Sequence, residues 1–489
     1  MSMQSINAQK NATPANTRDP IERAGDFGEV CLGYTEDEAR NEARRCLDCK
    51  TRPCVAGCPV GVDVPSFVRA VADGDFARAG SIVFETNSLP AICGRVCPQE
   101  TQCQGRCTRG RNGEPVEIGL LERFVADWAA EHENGAAGGA ASARGDAGAP
   151  GAAGARESVE RLPEGSKVAC VGSGPASLTC AAELLARGAR VTIFEALHEP
   201  GGVLAYGIPE FRLPKSLLRR EIERLAGAGA EIRTNAVIGS LFTSDELMGE
   251  MGYDAVFIAT GAGLPRYLSI PGEGLCGVCT ANELLTRVNL MRAMDFPESG
   301  TPVHVGERCV VVGGGNVAID AARTAKRLGS DVTILYRRTE EDMPARREEL
   351  EHAVEEGVSL HTLAAPLAAV ADDRGWIERL HCQKMHLGEP DESGRRRPEP
   401  VSGAEFDLAC DMLVVAVGSR PNPLAARTTL GLVTTGEGLI AIDPATAATG
   451  VPGVFAGGDA TTGAATVIEA MGAGKRAAAS IADYLLAKS

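Results

Sequence analysis

Apolar residues fall into two kinds of pattern along this chain. From residue 167 onward, short unbroken apolar runs recur: Lys167–Val171 (KVACV), the RVTIFE run that ends at Glu195, Asp254–Gly261 (DAVFIATG), Arg308–Val312 (RCVVV), DVTILYRR from Asp331, Asp411–Gly418 (DMLVVAVG) and Val454–Asp459 (VFAGGD). Each has the length of a strand covered on both faces. Stretches with helical spacing, such as TCAAELLARG and IDAARTAKRLG, alternate with them. That alternation predicts an α/β fold with parallel sheets. Ahead of residue 134 the pattern is helical instead. Thr35–Leu47 opens with Thr35 and has Glu38 three places on, a capping box, and Pro65–Ala79 carries its proline in a first turn. Between the two regions, residues 134–157 (NGAAGGAASARGDAGAPGAAGARE) are mostly Gly and Ala and cannot build a core. They read as a tether of about 27 Å r.m.s. for a ~24-residue Gly-rich coil.

Length and charge narrow the class. The chain has 489 residues and a net charge of -16, so about three domains are expected and a nucleic-acid-binding stripe is not. The longest apolar runs fall far short of the ~20 residues a membrane helix needs. The N-terminal MSMQSINAQKNATPANTRDP is polar and lacks an apolar signal region, so a cytoplasmic protein is expected, with no membrane partner. In that reducing setting the 16 cysteines are not read as disulfides.

Nine of those cysteines precede residue 110. Cys46, Cys49, Cys54 and Cys58 are spaced C-x2-C-x4-C-x3-C with Pro59 following, and Cys93, Cys97, Cys103 and Cys107 are spaced C-x3-C-x5-C-x3-C. A C-x-x-C start with a third Cys wraps one corner of an iron–sulfur cubane, and a Cys before Pro binds the neighbouring cluster. Cys58 then leaves the first group for the second, and the first group draws a ligand from the later set. Two four-cysteine zinc sites are the alternative, although the second set has no C-x2-C. Cys31 and Cys93 are the cysteines expected merely to pack.

Two glycine turns carry further chemistry. Gly172-Ser173-Gly174-Pro175-Ala176-Ser177 joins a strand to a helix, and Glu195 closes the next strand 23 residues after Gly172. Gly172 permits the tight turn and Gly174 the approach of a pyrophosphate to the helix N-terminus. The acid suits a ribose 2′-OH. Ser177 stands where a third glycine is usual. The second turn, Gly313-Gly314-Gly315-Asn316-Val317-Ala318, has the G-x-G-x-x-A form, but its second strand ends in Tyr336, Arg337 and Arg338. Guanidinium groups there suit a 2′-phosphate, hence NADPH over NADH. Asp459, just after a strand and ahead of TTGAATVIEAMGAGKRAA, suits a ribityl or phosphate contact.

The paired turns, the ATG and GGD segments, YGIPEFRLP (Tyr206–Pro214), YRRTEEDMPAR (Tyr336–Arg346), RCLDCKTRPCVAGCPVGVDVP and NSLPAICGRVCPQETQC together closely resemble the small (β) subunit of glutamate synthase. Related proteins are the large subunit of bifurcating ferredoxin:NADP oxidoreductases (sulfide dehydrogenase) and the N-terminal half of dihydropyrimidine dehydrogenase. The resemblance implies a helical N-terminal double [4Fe-4S] domain followed by two interleaved Rossmann-like domains of the disulfide-reductase type. The expected division is a polar tail (1–24), the cluster domain (25–133), the linker (134–157), a FAD-binding domain in two pieces (158–290 and 422–489) and an NADPH-binding domain (291–421). One cluster would use Cys46, Cys49, Cys54 and Cys107. The other would use Cys58, Cys97 and Cys103, with Glu122 as a non-cysteine fourth ligand, leaving Cys93 out. FAD would rest on Gly172, Gly174, Pro175, Ser177, Glu195 and Gly202, with Arg212, Thr260, Gly261, Gly458, Asp459 and Thr466 around it. NADPH would rest on Gly313, Gly315, Asn316, Ala318, Arg337 and Arg338.

The implied function is NADPH-dependent oxidoreduction with cofactor-borne chemistry and no catalytic side chain: hydride to FAD, then single electrons through the clusters to a glutamate-forming partner. The alternative is an NADPH-binding subunit of a bifurcating enzyme, paired with a small flavoprotein or ferredoxin. An oligomer is expected. The Met1-Ser2-Met3 start offers no N-terminal nucleophilic Cys for releasing ammonia from glutamine, so an electron-input subunit, or a form using ammonia or another acceptor, is expected. The C-x-x-C of Cys276 and Cys279 lies outside the redox position of disulfide reductases and is read as incidental.

Overall fold

The computed structural model describes residues 7–136, 160–390 and 396–488, so most of the expected tether lies outside the described residues. The N-terminal unit is helical, as its pattern predicts. Glu36–Ala43 is capped by Thr35, whose hydroxyl accepts from the Glu38 amide while the Glu38 carboxylate takes the Thr35 amide at 2.8 Å. Pro65 sits in the first turn of Val64–Asp73. The stretch 65–79 is not one helix, however. Gly74 adopts φ 80°, the left-handed conformation that closes a helix, and Asp75 caps a new one, Phe76–Phe84. Phe67, Val68, Val71, Val83, Ile92 and Leu121 pack the core between these helices and Ile118–Ala136.

The expected polar tail is a correction. Residues 7–24 are fastened to the body, because two buried charged residues use their backbone. Arg45 donates to the Lys10 carbonyl at 2.9 Å and to the Glu114 carbonyl at 2.7 Å, and Glu42 accepts from the Thr13 amide at 2.7 Å. Arg23 is itself buried and reaches Glu356 at 3.0 Å.

Two five-stranded parallel sheets follow. The first runs Val454–Ala456, Ala255–Ile258, Lys167–Val171, Arg190–Phe194, Glu231–Arg233. The second runs Val278–Thr280, Met412–Val415, Arg308–Val312, Asp331–Tyr336, Ser359–Thr362. Both place the strand leading into the glycine turn at the centre, so the chain builds the same plan twice. Because Val278–Thr280 belongs to the second sheet, the domain boundary falls before it rather than at 291. The two crossings between the domains lie side by side: Leu264–Pro265 pairs antiparallel with Ser419–Arg420. An antiparallel meander of Ala364–Ala371, Ile377–Pro390 and Arg396–Ala409 extends the second domain.

Candidate functional site

Gly172 ends the central strand of the first sheet with φ 94°, and a Cβ there would stand 2.5 Å from the Ala259 carbonyl oxygen. Any side chain is excluded by the neighbouring strand's exit. Gly174 differs: it heads the helix Pro175–Ala186, and the space its Cβ would fill is open. That opening, in front of a helix N-terminus with unpaired amides, fits a pyrophosphate. Gly202 closes over it, so near that a Cβ would come within 2.9 Å of the Gly174 Cα. Glu195 is buried and held by the turn itself. It accepts from the Ser173 amide at 3.0 Å and from the Ser173 hydroxyl, while its other oxygen accepts from the Leu197 amide at 2.8 Å. Ser177 is fully buried at the third-glycine place, and its hydroxyl has no partner among the described residues.

Several of the other expected flavin residues lie beside this turn. Thr260 and Gly261 leave the strand beside Gly172, whose Cβ would lie 3.3 Å from the Thr260 Cα. Gly458 (φ 65°) abuts Ala176, and Asp459 follows it, pushed up to about 6 by burial. Thr466 donates to Glu469 at 2.7 Å at the start of the long helix Val467–Lys488. That helix packs on Pro175–Ala186 so closely that a Cβ on Gly474 would overlap the Ala176 carbonyl. Arg212 has contacts of another kind: its guanidinium is buried between Asp320 (2.8 Å) and Glu349 (3.0 Å) of the second domain, where it joins the domains.

The second turn repeats the first with different ends. Gly313 has φ 153° and a Cβ there would overlap the Ala416 carbonyl, whereas Gly315 heads the helix Asn316–Arg327 with open space in place of a Cβ. Ala318 is fully buried in that helix, and the Tyr336 ring lies over Gly314. Asn316 is used locally: its side-chain oxygen accepts from the Arg346 amide at 2.9 Å, which brings the 345–346 segment over the turn. Arg337 is exposed and Arg338 half-buried, its Nε donating to the Arg396 carbonyl at 3.2 Å.

The cysteines form two groups, crossed as the Cys58-Pro59 reading requires. Cys46, Cys49, Cys54 and Cys107 line one pocket with Val64, Val68, Val116 and Ile118 as an apolar surround. Burial pushes the Cys46 thiol up to about 12, and the Cys54, Cys107 and Cys49 thiols add to it, so the four lie within electrostatic reach. In the second group, burial raises Cys103, with Glu122 and then Cys58 adding. Cys97 is raised by its bond to Cys93, by burial and by Glu122. Glu122 is buried with no cation beside it among the described residues, and burial pushes it up to about 7 against a hydrogen bond from Asn87. A carboxylate so placed fits a ligand awaiting positive charge.

Cys93 is fully buried, 3.5 Å from the Met471 sulfur, and hydrogen-bonded to Cys97, so it sits among the second group of cysteines. Cys279 lies in a strand, pushed up to about 12 by burial, while Cys276 is exposed. The second group faces the flavin domain. Pro59 would meet a Cβ on Gly472 at 3.1 Å, and Gln102 donates to the Thr466 hydroxyl at 3.4 Å. We call this the inner group and the other the outer. Asn87 and Gln102 lie within the segment NSLPAICGRVCPQETQC, but neither they nor the interdomain acids Asp320 and Glu349 are among the expected site residues.

Residues 23–134 match the family described as dihydropyrimidine dehydrogenase domain II, 4Fe-4S cluster, and residues 166–474 match the family described as pyridine nucleotide-disulphide oxidoreductase. The NADP(+)-dependent formate dehydrogenase subunit beta of Moorella thermoacetica is 42% identical over 442 residues, 89% of this chain. This chain spans 60% of that relative's length. The glutamate synthase [NADPH] small chain of Escherichia coli (strain K12) is 34% identical over 469 residues, covering 94% of this chain and 94% of that one. Mycobacterium tuberculosis FprA in complex with NADPH shares the fold at 22% identity, with a TM-score of 0.55 over 66% of this chain and 85% of that one. Among the described residues no helix is long and apolar enough to cross a membrane.

Proposed function

This chain belongs to the pyridine nucleotide-disulphide oxidoreductase family, in the branch that carries a 4Fe-4S domain and includes the glutamate synthase small chains, and we propose that it passes electrons from NADPH to a larger partner subunit. The observation that carries this reading is the placing of a crossed cysteine group directly against the helix Val467–Lys488 of the flavin domain. FAD would be held by the open turn at Gly174 with Glu195 and Asp459, and NADPH by the open turn at Gly315 with Arg337 and Arg338. The inner cluster would take Cys58, Cys97, Cys103 and Glu122, and the outer Cys46, Cys49, Cys54 and Cys107. When bound, these groups convert a two-electron donor into single electrons that move in steps.

The chain's own residues supply position and electrostatics. Backbone amides at the two helix N-termini meet pyrophosphate charge. Arg337 and Arg338 would pair with a 2′-phosphate. Val64, Val68, Val116 and Ile118 keep water from the outer group, and Met471 with Cys93 fills the space between the inner group and the flavin domain.

A glutamate-forming subunit is the partner favoured by the small-chain relatives, which match over nearly their whole length. The 42% relative, a formate dehydrogenase subunit, favours a second reading, in which the same electron path serves another oxidoreductase. Co-purification from the native host tests the choice. A large FMN-containing subunit would support glutamate synthesis. A small ferredoxin-reductase-like flavoprotein or a dehydrogenase subunit would overturn it in favour of the second reading.

A further inference from the structure

We propose that Asn87 is the positioning residue for the Glu122 carboxylate, held in place by the flavin domain; this rests on Glu122 being the fourth ligand of the inner cluster. Asn87 is fully buried. Its Nδ2 donates to Glu122 Oε1 at 2.6 Å, while its Oδ1 accepts from the Leu89 amide at 2.9 Å and lies 3.7 Å from the Cys93 sulfur. A backbone N–H can only donate. It therefore fixes which side of the amide carries oxygen, and the Asn87 Nδ2 must face Glu122. One carboxylate oxygen is thus occupied. The other, Oε2, receives no hydrogen bond among the described residues, so the carboxylate is turned to offer a single oxygen.

The loop that carries Asn87 is clamped from outside the cluster domain. The Thr86 carbonyl accepts from Lys475 Nζ at 2.8 Å, the Ser88 hydroxyl bonds that of Thr179 at 3.2 Å, and the Ser88 carbonyl accepts from Arg224 at 2.7 Å. These three partners lie on three flavin-domain helices: Val467–Lys488, Pro175–Ala186 and Lys215–Gly227. The backbone on both sides of Asn87 is therefore set by how the flavin domain docks. The ligand geometry of the nearer cluster is tied to the domain that supplies its electrons.

The test uses the full-length chain with clusters reconstituted, comparing wild type with Glu122→Ala, Asn87→Leu and Asn87→Asp. The readouts are an EPR-monitored redox titration and the rate of iron loss to a chelator. Asn87→Leu removes the shared hydrogen bond, leaves more electron density on the ligating oxygen and shifts the inner cluster to a more negative potential. Its iron is lost about 10- to 100-fold faster, the usual cost of an outer-shell partner, while the outer cluster is unchanged. Asn87→Asp is isosteric but must hold a proton to donate, so the inner potential becomes pH-dependent where that of the wild type is flat. If Asn87→Leu does not fold, the aspartate variant decides. A changed inner signal in Glu122→Ala with wild-type behaviour in the Asn87 variants overturns the role of Asn87 and leaves the ligand assignment standing. Wild-type signals in Glu122→Ala overturn both.

Discussion

At the first glycine turn the neighbouring strand ends in Glu195, locked by the Ser173 and Leu197 amides. At the second it ends in Tyr336, Arg337 and Arg338, with the ring over Gly314 and the arginines toward solvent. The two sheets share strand order, and both turns pair a glycine that admits no Cβ with one that faces open space. What differs is the charge at the strand end. We propose that one scaffold makes two sites by changing two or three residues where a ribose would lie, the acid and the arginines sorting the dinucleotides between them.

The largest effect should come from the closed glycines. Gly172→Ala and Gly313→Ala force a side chain into a positive-φ residue facing a carbonyl, at a strain cost of about 1–3 kcal/mol before any overlap. Both should lower the melting temperature of the protein without cofactors, and Gly172→Ala should also be purified with little FAD. An unchanged melting temperature would refute the steric reading. Next, the arginines carry the comparison itself. The double substitution Arg337→Ala/Arg338→Ala should raise the KM for NADPH by about 100-fold and leave that for NADH nearly unchanged, since charge-assisted bonds are each worth about 1.5–3 kcal/mol. Equal losses with both nucleotides would mean that the arginines do not read the 2′-phosphate.

The open glycines should behave in the opposite way to the closed ones. Gly315→Ala should leave the melting temperature unchanged but raise the KM for NADPH by roughly tenfold, because the methyl takes space only the pyrophosphate needs. A fall in melting temperature would contradict the open turn. The smallest effect near neutral pH concerns the buried ionic joint that ties Arg23 and Arg212 to the second domain. Burial alone would raise Glu349 and Glu356, but Arg212, Arg323 and Arg346 around the first and Arg323 and Arg327 around the second outweigh it, holding both at about 2. These folded values lie below the ordinary 4.5, so the stabilisation is complete above about 4.5 and is lost as pH falls through about 2. Urea unfolding across that range should show it. Glu356→Gln should flatten the acid slope, and an unaltered slope would remove this acid from the joint.

Local signals were legible in the sequence and distant ones were not. The Thr35–Glu38 box needs only residues three apart, and the structure forms it. Cys58, the cysteine before Pro59, lies outside the pocket that Cys46, Cys49, Cys54 and Cys107 line. Gly74 was passed over because apolar spacing continues on both sides of it, yet its left-handed backbone splits the helix. The ion pairs of Arg212 are not legible in the sequence, because Asp320 and Glu349 lie in another domain. Residues 7–24 looked like a tail because a polar segment can be fixed by buried charges, here Arg45, Glu42 and Glu356, that composition does not reveal. Asn87 opens the segment NSLPAICGRVCPQETQC, yet nothing in that segment points to Glu122, because only folding brings the two together.

The most direct measurement is an anaerobic titration of the intact chain with NADPH, following flavin absorbance and EPR together after iron and sulfide analysis. The account predicts about eight iron atoms per chain with matching acid-labile sulfide, bleaching of the flavin, and the appearance of reduced-cluster signals as NADPH is added. Zinc without sulfide, or a flavin that is reduced while no cluster signal ever appears, would contradict it.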